Sequence, residues 1–188
     1  MTVQAGDVCS LAVALEAVLP YYDPVLIRKA LSRLWTEQYE CVQEAEGAYG
    51  LLCLLKAAGF ELGLISNTWM PFYSGFCTRH SNLANMFDYT VLSFRLGVKK
   101  PSADIFRHAL ELCGKEASDC LLAGDSHELD INPAAGLGFQ TAWVLSRPER
   151  ERSTISRMLR GEIASPDLVA CDLPELTGLM KERLGQWT

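Results

Sequence analysis

The chain has 188 residues, long enough for one ordinary domain with its own core, and its 49% hydrophobic and 21% charged residues exclude a disordered or fibrous class. A formal net charge of −6 argues against a nucleic-acid surface, which needs clustered Lys and Arg. No apolar run reaches membrane-spanning length, no basic-then-apolar leader opens the chain, and the seven cysteines include no C-x-x-C pair for zinc or redox chemistry. The expected setting is soluble and reducing, that is cytoplasmic.

In chain order, the first third reads as helix. Asp23-Pro24 joins a capping side chain to a proline at the first helical position. Behind it Ile27, Leu31, Leu34, Gln38 and Val42 recur three or four apart, with Ala30, Trp35 and Tyr39 widening the stripe. A second helix, roughly 48–58, carries Leu51, Leu52, Leu54 and Leu55 and stops at Gly59. From residue 60 the texture changes to short apolar runs of strand length, at 60–65, 89–92, 120–123 and 139–145. The clearest helix between them is capped by Ser102, carries Ile105, Phe106, Ala109, Leu110 and Cys113, and closes at Gly114. A weaker strand at 168–170 leads into a helix from about 174. Strands alternating with helices predict an α/β fold with a doubly wound parallel sheet, whose ligands bind at the carboxyl ends of the strands.

Those ends carry three polar groups. Ser66-Asn67-Thr68 follows the first strand, where a hydroxyl, an amide and the free N–H groups of a coming helix can hold an anion. The same residues also read as a plain helix cap. After the second strand, Gly97-Val98-Lys99-Lys100-Pro101 presents Lys100 from a turn fixed by proline, either against a phosphate or simply in solvent. After the third, Gly124-Asp125-Ser126-His127-Glu128-Leu129-Asp130 sets two acids five positions apart. Mg²⁺ suits such a pair, since it takes oxygen ligands, often one or two carboxylates, and fills its shell with water and phosphate. Asp130 also reads as a cap of the next helix, and His127 and Glu128 as rim without chemistry. Arginines 147, 150, 152, 157 and 160 alternate with Glu149, Glu151 and Glu162, the pattern of a solvated helix face.

Taken together, LISNTW, LGVKKPSADIF and LLAGDSHELDINPAAGLGF resemble the haloacid dehalogenase-like (HAD) hydrolase superfamily, in its helical-cap phosphatase branch. The resemblance implies a Rossmann-like core acting on a small phosphorylated substrate, with no nucleic acid and no membrane as partner. It implies that Ser66 and Asn67 bind the phosphoryl group and that Lys100 offsets charge between nucleophile and phosphate. Asp125 would hold Mg²⁺, and Asp130 would support the catalytic centre. The acid at Asp125 favours a phosphatase over a 2-haloacid dehalogenase-type hydrolase. A non-catalytic binding or scaffold protein on the same fold is the other alternative.

The family's nucleophile, an aspartate in an Asp-x-Asp-Gly-Thr-like motif ending the first strand, has no match. The nearest text, Asp7-Val8-Cys9-Ser10-Leu11, follows poor strand material and puts cysteine where the acid/base aspartate belongs. The expectation is therefore a partial helical cap over 1–47 and a HAD-like core over 48–188 lacking its first strand. Such a chain would be truncated and catalytically impaired, with two strand edges facing an apolar gap and open to homo-oligomer formation.

Overall fold

The structure, a computed structural model, describes residues 8–185; Asp7 lies outside the described residues. Two helices come first, α1 (Val8–Val18) and α2 (Pro24–Glu40). Asp23 caps the second as expected, its Oδ1 accepting from the Val25 N–H at 2.8 Å. Then follow α3 (Ala48–Ala57), β1 (Gly63–Ser66), α4 (Met70–Arg79), α5 (Ser81–Ala84), β2 (Tyr89–Leu92), α6 (Ser93–Leu96) and α7 (Ala103–Cys113). The second half runs through β3 (Leu121–Gly124), a π turn (His127–Ile131), α8 (Asn132–Gly136), β4 (Gln140–Val144), α9 (Arg152–Leu159), β5 (Leu168–Ala170) and α10 (Leu173–Gly185). Ser102 accepts from the Asp104 N–H at 3.3 Å, and α7 ends at Gly114 with φ of 64°, as its sequence predicts.

Every strand pair is parallel, and the class is α/β. The strands form two sheets instead of one, β1-β2 and β3-β4-β5, so β1 and β3 each end a sheet without pairing to one another. The first strand starts three residues later than its apolar run. Leu62 is instead held by Asp88, whose Oδ2 accepts from the Leu62 N–H at 2.7 Å and whose N–H donates to Leu62 O at 2.8 Å. Pairing begins at Gly63 against Tyr89, and only glycine fits there, because a Cβ would lie 2.3 Å from the Tyr89 ring.

Two apolar clusters hold the layers together. One joins Val91 of β2 to Ile105, Phe106 and Ala109 of α7 and to Ala134 and Phe139, with the Phe106 and Phe139 rings edge-on at 6.3 Å. The other joins Leu51 of α3 to Ala142, Val144 and Ala170 in the strands and to Leu176 and Met180 of α10. Half-buried Cys120 borders the first cluster, where burial pushes its thiol up to about 11, that of an inert packing group. The N-terminal helices meet this core through α2 against α4. Trp35 and Trp69 meet edge-on at 5.9 Å, and Trp69 Nε1 donates to Gln38 Oε1 at 3.2 Å. Among the described residues no helix is long and apolar enough to cross a membrane.

Candidate active site

At the carboxyl ends of the strands lies a pocket of about 370 Å³ lined by Ser66, Asn67, Lys100, Asp125, Asp130, Arg147 and Arg150, among others. A cavity of similar size between α1 and α2, about 360 Å³, is lined by apolar chains such as Leu15, Leu19, Ile27 and Leu31 and offers no charged group. The chemistry belongs to the first.

Ser66 closes β1 and reaches the pocket with a hydroxyl that no side-chain hydrogen bond engages among the described residues. Asn67, expected to bind the phosphoryl group, uses its side-chain amide otherwise. Its Nδ2 donates to Lys100 O at 2.9 Å and its Oδ1 accepts from Lys100 N–H at 2.8 Å. The amide thus clamps the turn carrying the lysine, whose peptide to Pro101 is cis. Beside it Ser93 Oγ accepts from Thr68 N–H at 3.1 Å and donates to Thr68 O at 3.0 Å, tying the same two segments again.

Lys100 points inward. Its Nζ donates to Asp130 Oδ1 at 2.5 Å and to the Ile65 carbonyl of β1 at 3.3 Å, with 15% of the lysine side chain and 6% of the aspartate exposed. A carboxylate so buried needs every oxygen matched. Its Oδ2 accepts from Ser126 N–H at 3.1 Å. Gly124 makes room for it, since a Cβ there would lie 2.4–2.7 Å from Asp130 atoms. Asp130 therefore fixes the lysine ammonium.

Asp125 stays half-exposed and pairs with the Arg147 guanidinium, while its carbonyl accepts from Trp143 Nε1 at 3.4 Å. His127 turns away from the pocket. It is buried against Trp143, ring centroids 5.2 Å apart, and that burial holds its imidazole below the ordinary histidine range. It is core, not rim, whereas Glu128 is exposed as expected.

Arg147 and Arg150 were not expected in the site. The arginine-rich segment is helical only from Arg152; residues 147 and 150 lie in the turn between β4 and α9, at a strand end. The signal that finds them is position after the fourth strand, which the alternating Arg/Glu pattern hides.

Among the described residues no group of three His, Cys, Asp or Glu is arranged to hold a metal. The pocket nevertheless fits a hard cation in part. Asp125 offers a carboxylate at the mouth, where Arg147 already stands as a cation against it, and one or two carboxylates suffice for Mg²⁺.

Known proteins share this arrangement at the level of the fold. A HAD phosphatase from Thermococcus onnurineus superposes with a TM-score of 0.64 at 18% identity, over 92% of this chain and 77% of that one. A 2-haloacid dehalogenase from Pseudomonas syringae does so with 0.63 at 23%, over 98% and 72%. In sequence, a glyceraldehyde 3-phosphate phosphatase of Pyrococcus abyssi is 27% identical over 122 residues, 65% of this chain and 51% of that protein. The chain spans about half the length of the curated relatives it matches. The profile of the haloacid dehalogenase-like hydrolases matches residues 17–138, through both the Ser66 and the Asp125 strand ends, and the chain belongs to that family.

Proposed function

We propose that the pocket is the phosphate-binding part of a Mg²⁺-dependent phosphate monoester hydrolase acting on a small phosphorylated substrate. The observation that carries this reading is the Lys100 ammonium, held by Asp130 and Ile65 O in the pocket that Ser66 also lines. An ammonium fixed in advance beside an unengaged hydroxyl is a preorganised site for an anion. Lys100 and Ser66 contact the phosphoryl oxygens, Asn67 positions the lysine turn, and Asp125 is the ligand for Mg²⁺. The metal, when bound, neutralises charge on the transferred group. The similarity to a phosphatase of a three-carbon phosphate supports a small substrate.

The nucleophile is a different matter. Neither aspartate of the pocket takes that role: Asp130 is held by Lys100 in a buried pair, and Asp125 is the one assigned to Mg²⁺. In this proposal residues 1–47 are part of a helical cap, and the core over 48–188 is completed by a strand ending in Asp-x-Asp between β1 and β3. The 188-residue chain alone then binds phosphate but turns over little. Losing a nucleophile costs on the order of 10⁴–10⁶ in rate. The test has two arms. Titration with inorganic phosphate should show binding that Lys100→Ala weakens by about tenfold or more, the worth of a charge-assisted contact. With Mg²⁺ and an aryl phosphate the chain should stay near background, while a chain extended by a strand ending in Asp-x-Asp should gain turnover that Asp125→Asn abolishes. No effect of Lys100→Ala on phosphate binding refutes the site; ordinary turnover by the 188-residue chain refutes its impairment.

A further inference from the structure

Asp125 and Arg147 lie 22 residues apart, yet the sheet brings them together. β3 and β4 are paired with Gly124 opposite Trp143, so the residues just beyond each strand emerge side by side. The Trp143 indole then fixes the Asp125 backbone from within the core. The pair is therefore built by the register of two strands. It is also open, since 48% of the arginine side chain and 41% of the aspartate are exposed, and exposed ion pairs are weak enough to exchange partners. The carboxylate it occupies is the proposed ligand of the divalent cation, and the inference rests on that reading.

Three groups of chemistry meet here. A carboxylate oxygen is a good ligand for a hard divalent cation. A guanidinium matches a phosphate with two parallel hydrogen bonds, better than it matches one oxygen of a carboxylate. Arg147 and Asp125 share the pocket with Ser66 and Lys100, so an anion bound by those two is within the same 370 Å³. When cation and phosphate are both present, each finds a better partner than the ion pair offers.

We propose that Arg147 covers Asp125 while the pocket is without ligand and transfers to the phosphoryl oxygens when substrate enters, so that divalent cation and phosphate load together. Alone, a cation must compete with the guanidinium for Asp125. With phosphate bound, the guanidinium has left and the carboxylate is free. Because binding linkage is reciprocal, the cation raises phosphate affinity by the same factor.

The experiment is calorimetric titration of the 188-residue chain with Mn²⁺, inorganic phosphate, and each in the presence of the other, with no turnover required. Arg147→Ala should bind Mn²⁺ alone about threefold to fivefold more tightly than the parent chain, the worth of an exposed ion pair. The same variant should bind phosphate more weakly and lose part of the coupling between the two ligands. Arg147→Met, which keeps the bulk of the side chain, should behave likewise and guards against a folding defect of the alanine variant. Arg150→Ala removes a pocket-lining charge that makes no hydrogen bond or ion pair to Asp125 among the described residues, and it measures the general effect of lowering positive charge. Asp125→Asn should abolish the Mn²⁺ response in every background. The proposal is overturned if Arg147→Ala leaves Mn²⁺ affinity unchanged or weaker, or gains no more than Arg150→Ala, or leaves the coupling intact. If instead the parent chain binds no phosphate, or binds it equally well as Lys100→Ala, the phosphate-site reading fails, and the Mn²⁺ arm alone still reports on the pairing of Arg147 with Asp125.

Discussion

Asp130 joins two segments with its two oxygens, the lysine turn through Lys100 and the loop after β3 through Ser126 N–H, and it fills the space that a side chain at Gly124 would need. Replacing it by alanine leaves a mostly buried ammonium without its counter-charge, so Asp130→Ala should cost about 3 kcal/mol or more of stability, read by urea unfolding. His127 sets a pH dependence. Burial lowers its pKa in the fold, so below about 6.5 the unfolded chain takes up a proton that the folded one refuses. Stability therefore falls as pH drops through that value. In His127→Phe, which keeps a ring against Trp143, melting temperature should be flatter than in the parent between about pH 7 and about 5.5. At this scale the sequence showed Ser66, Lys100, Asp125 and Asp130, because each stands at or soon after the end of a strand. The bonds of Asn67 to the lysine turn were hidden, since they cross 33 residues and no local pattern encodes them. Arg147 was hidden by its neighbours, whose alternating charges look the same in a turn as on a helix.

Among elements, α4 shows how packing overrides local preference. Its text, MPFYSGFCTR, has aromatic residues and an interior glycine, all poor helix formers, and no periodic stripe announces it. The glycine explains itself in the fold. A Cβ on Gly75 would lie 2.2 Å from the Tyr39 carbonyl oxygen of α2, so the two helices touch backbone to side-chain-free backbone. Gly75→Ala should push α4 from α2 and cost about 1–3 kcal/mol, seen as a lower melting temperature. The strongly signalled elements, α2 behind Asp23-Pro24 and α7 between Ser102 and Gly114, were legible because their ends carry side-chain and glycine chemistry that acts locally. The start of β1 was not. The apolar run over 60–65 begins with residues outside the strand, where Asp88 ties down Leu62 in place of a neighbouring strand.

At the scale of the molecule, the described residues form five parallel strands in two sheets, in which the end strands β1 and β3 are each paired on one side only. β4, paired on both sides, has four of its five residues buried, whereas β3 leaves Leu121 37% exposed. Unpaired strand edges with apolar residues recruit other strands. The chain should therefore self-associate as concentration rises, and Leu121→Lys, a charge on the β3 edge strand, should keep it monomeric by light scattering. Lys100 has a part in this as well. Its ammonium bonds Ile65 O of β1 and Asp130 just beyond β3, so one side chain spans the two sheets, which no strand pairing joins among the described residues. Cohesion and the proposed phosphate contact thus draw on the same atom. A descendant of this chain that gave up phosphate altogether would still be under pressure to keep the lysine, merely to hold its halves in place. Finding that lysine in a relative is consequently a record of a shared architecture, and testimony to activity has to come from Ser66, whose hydroxyl makes no side-chain hydrogen bond among the described residues.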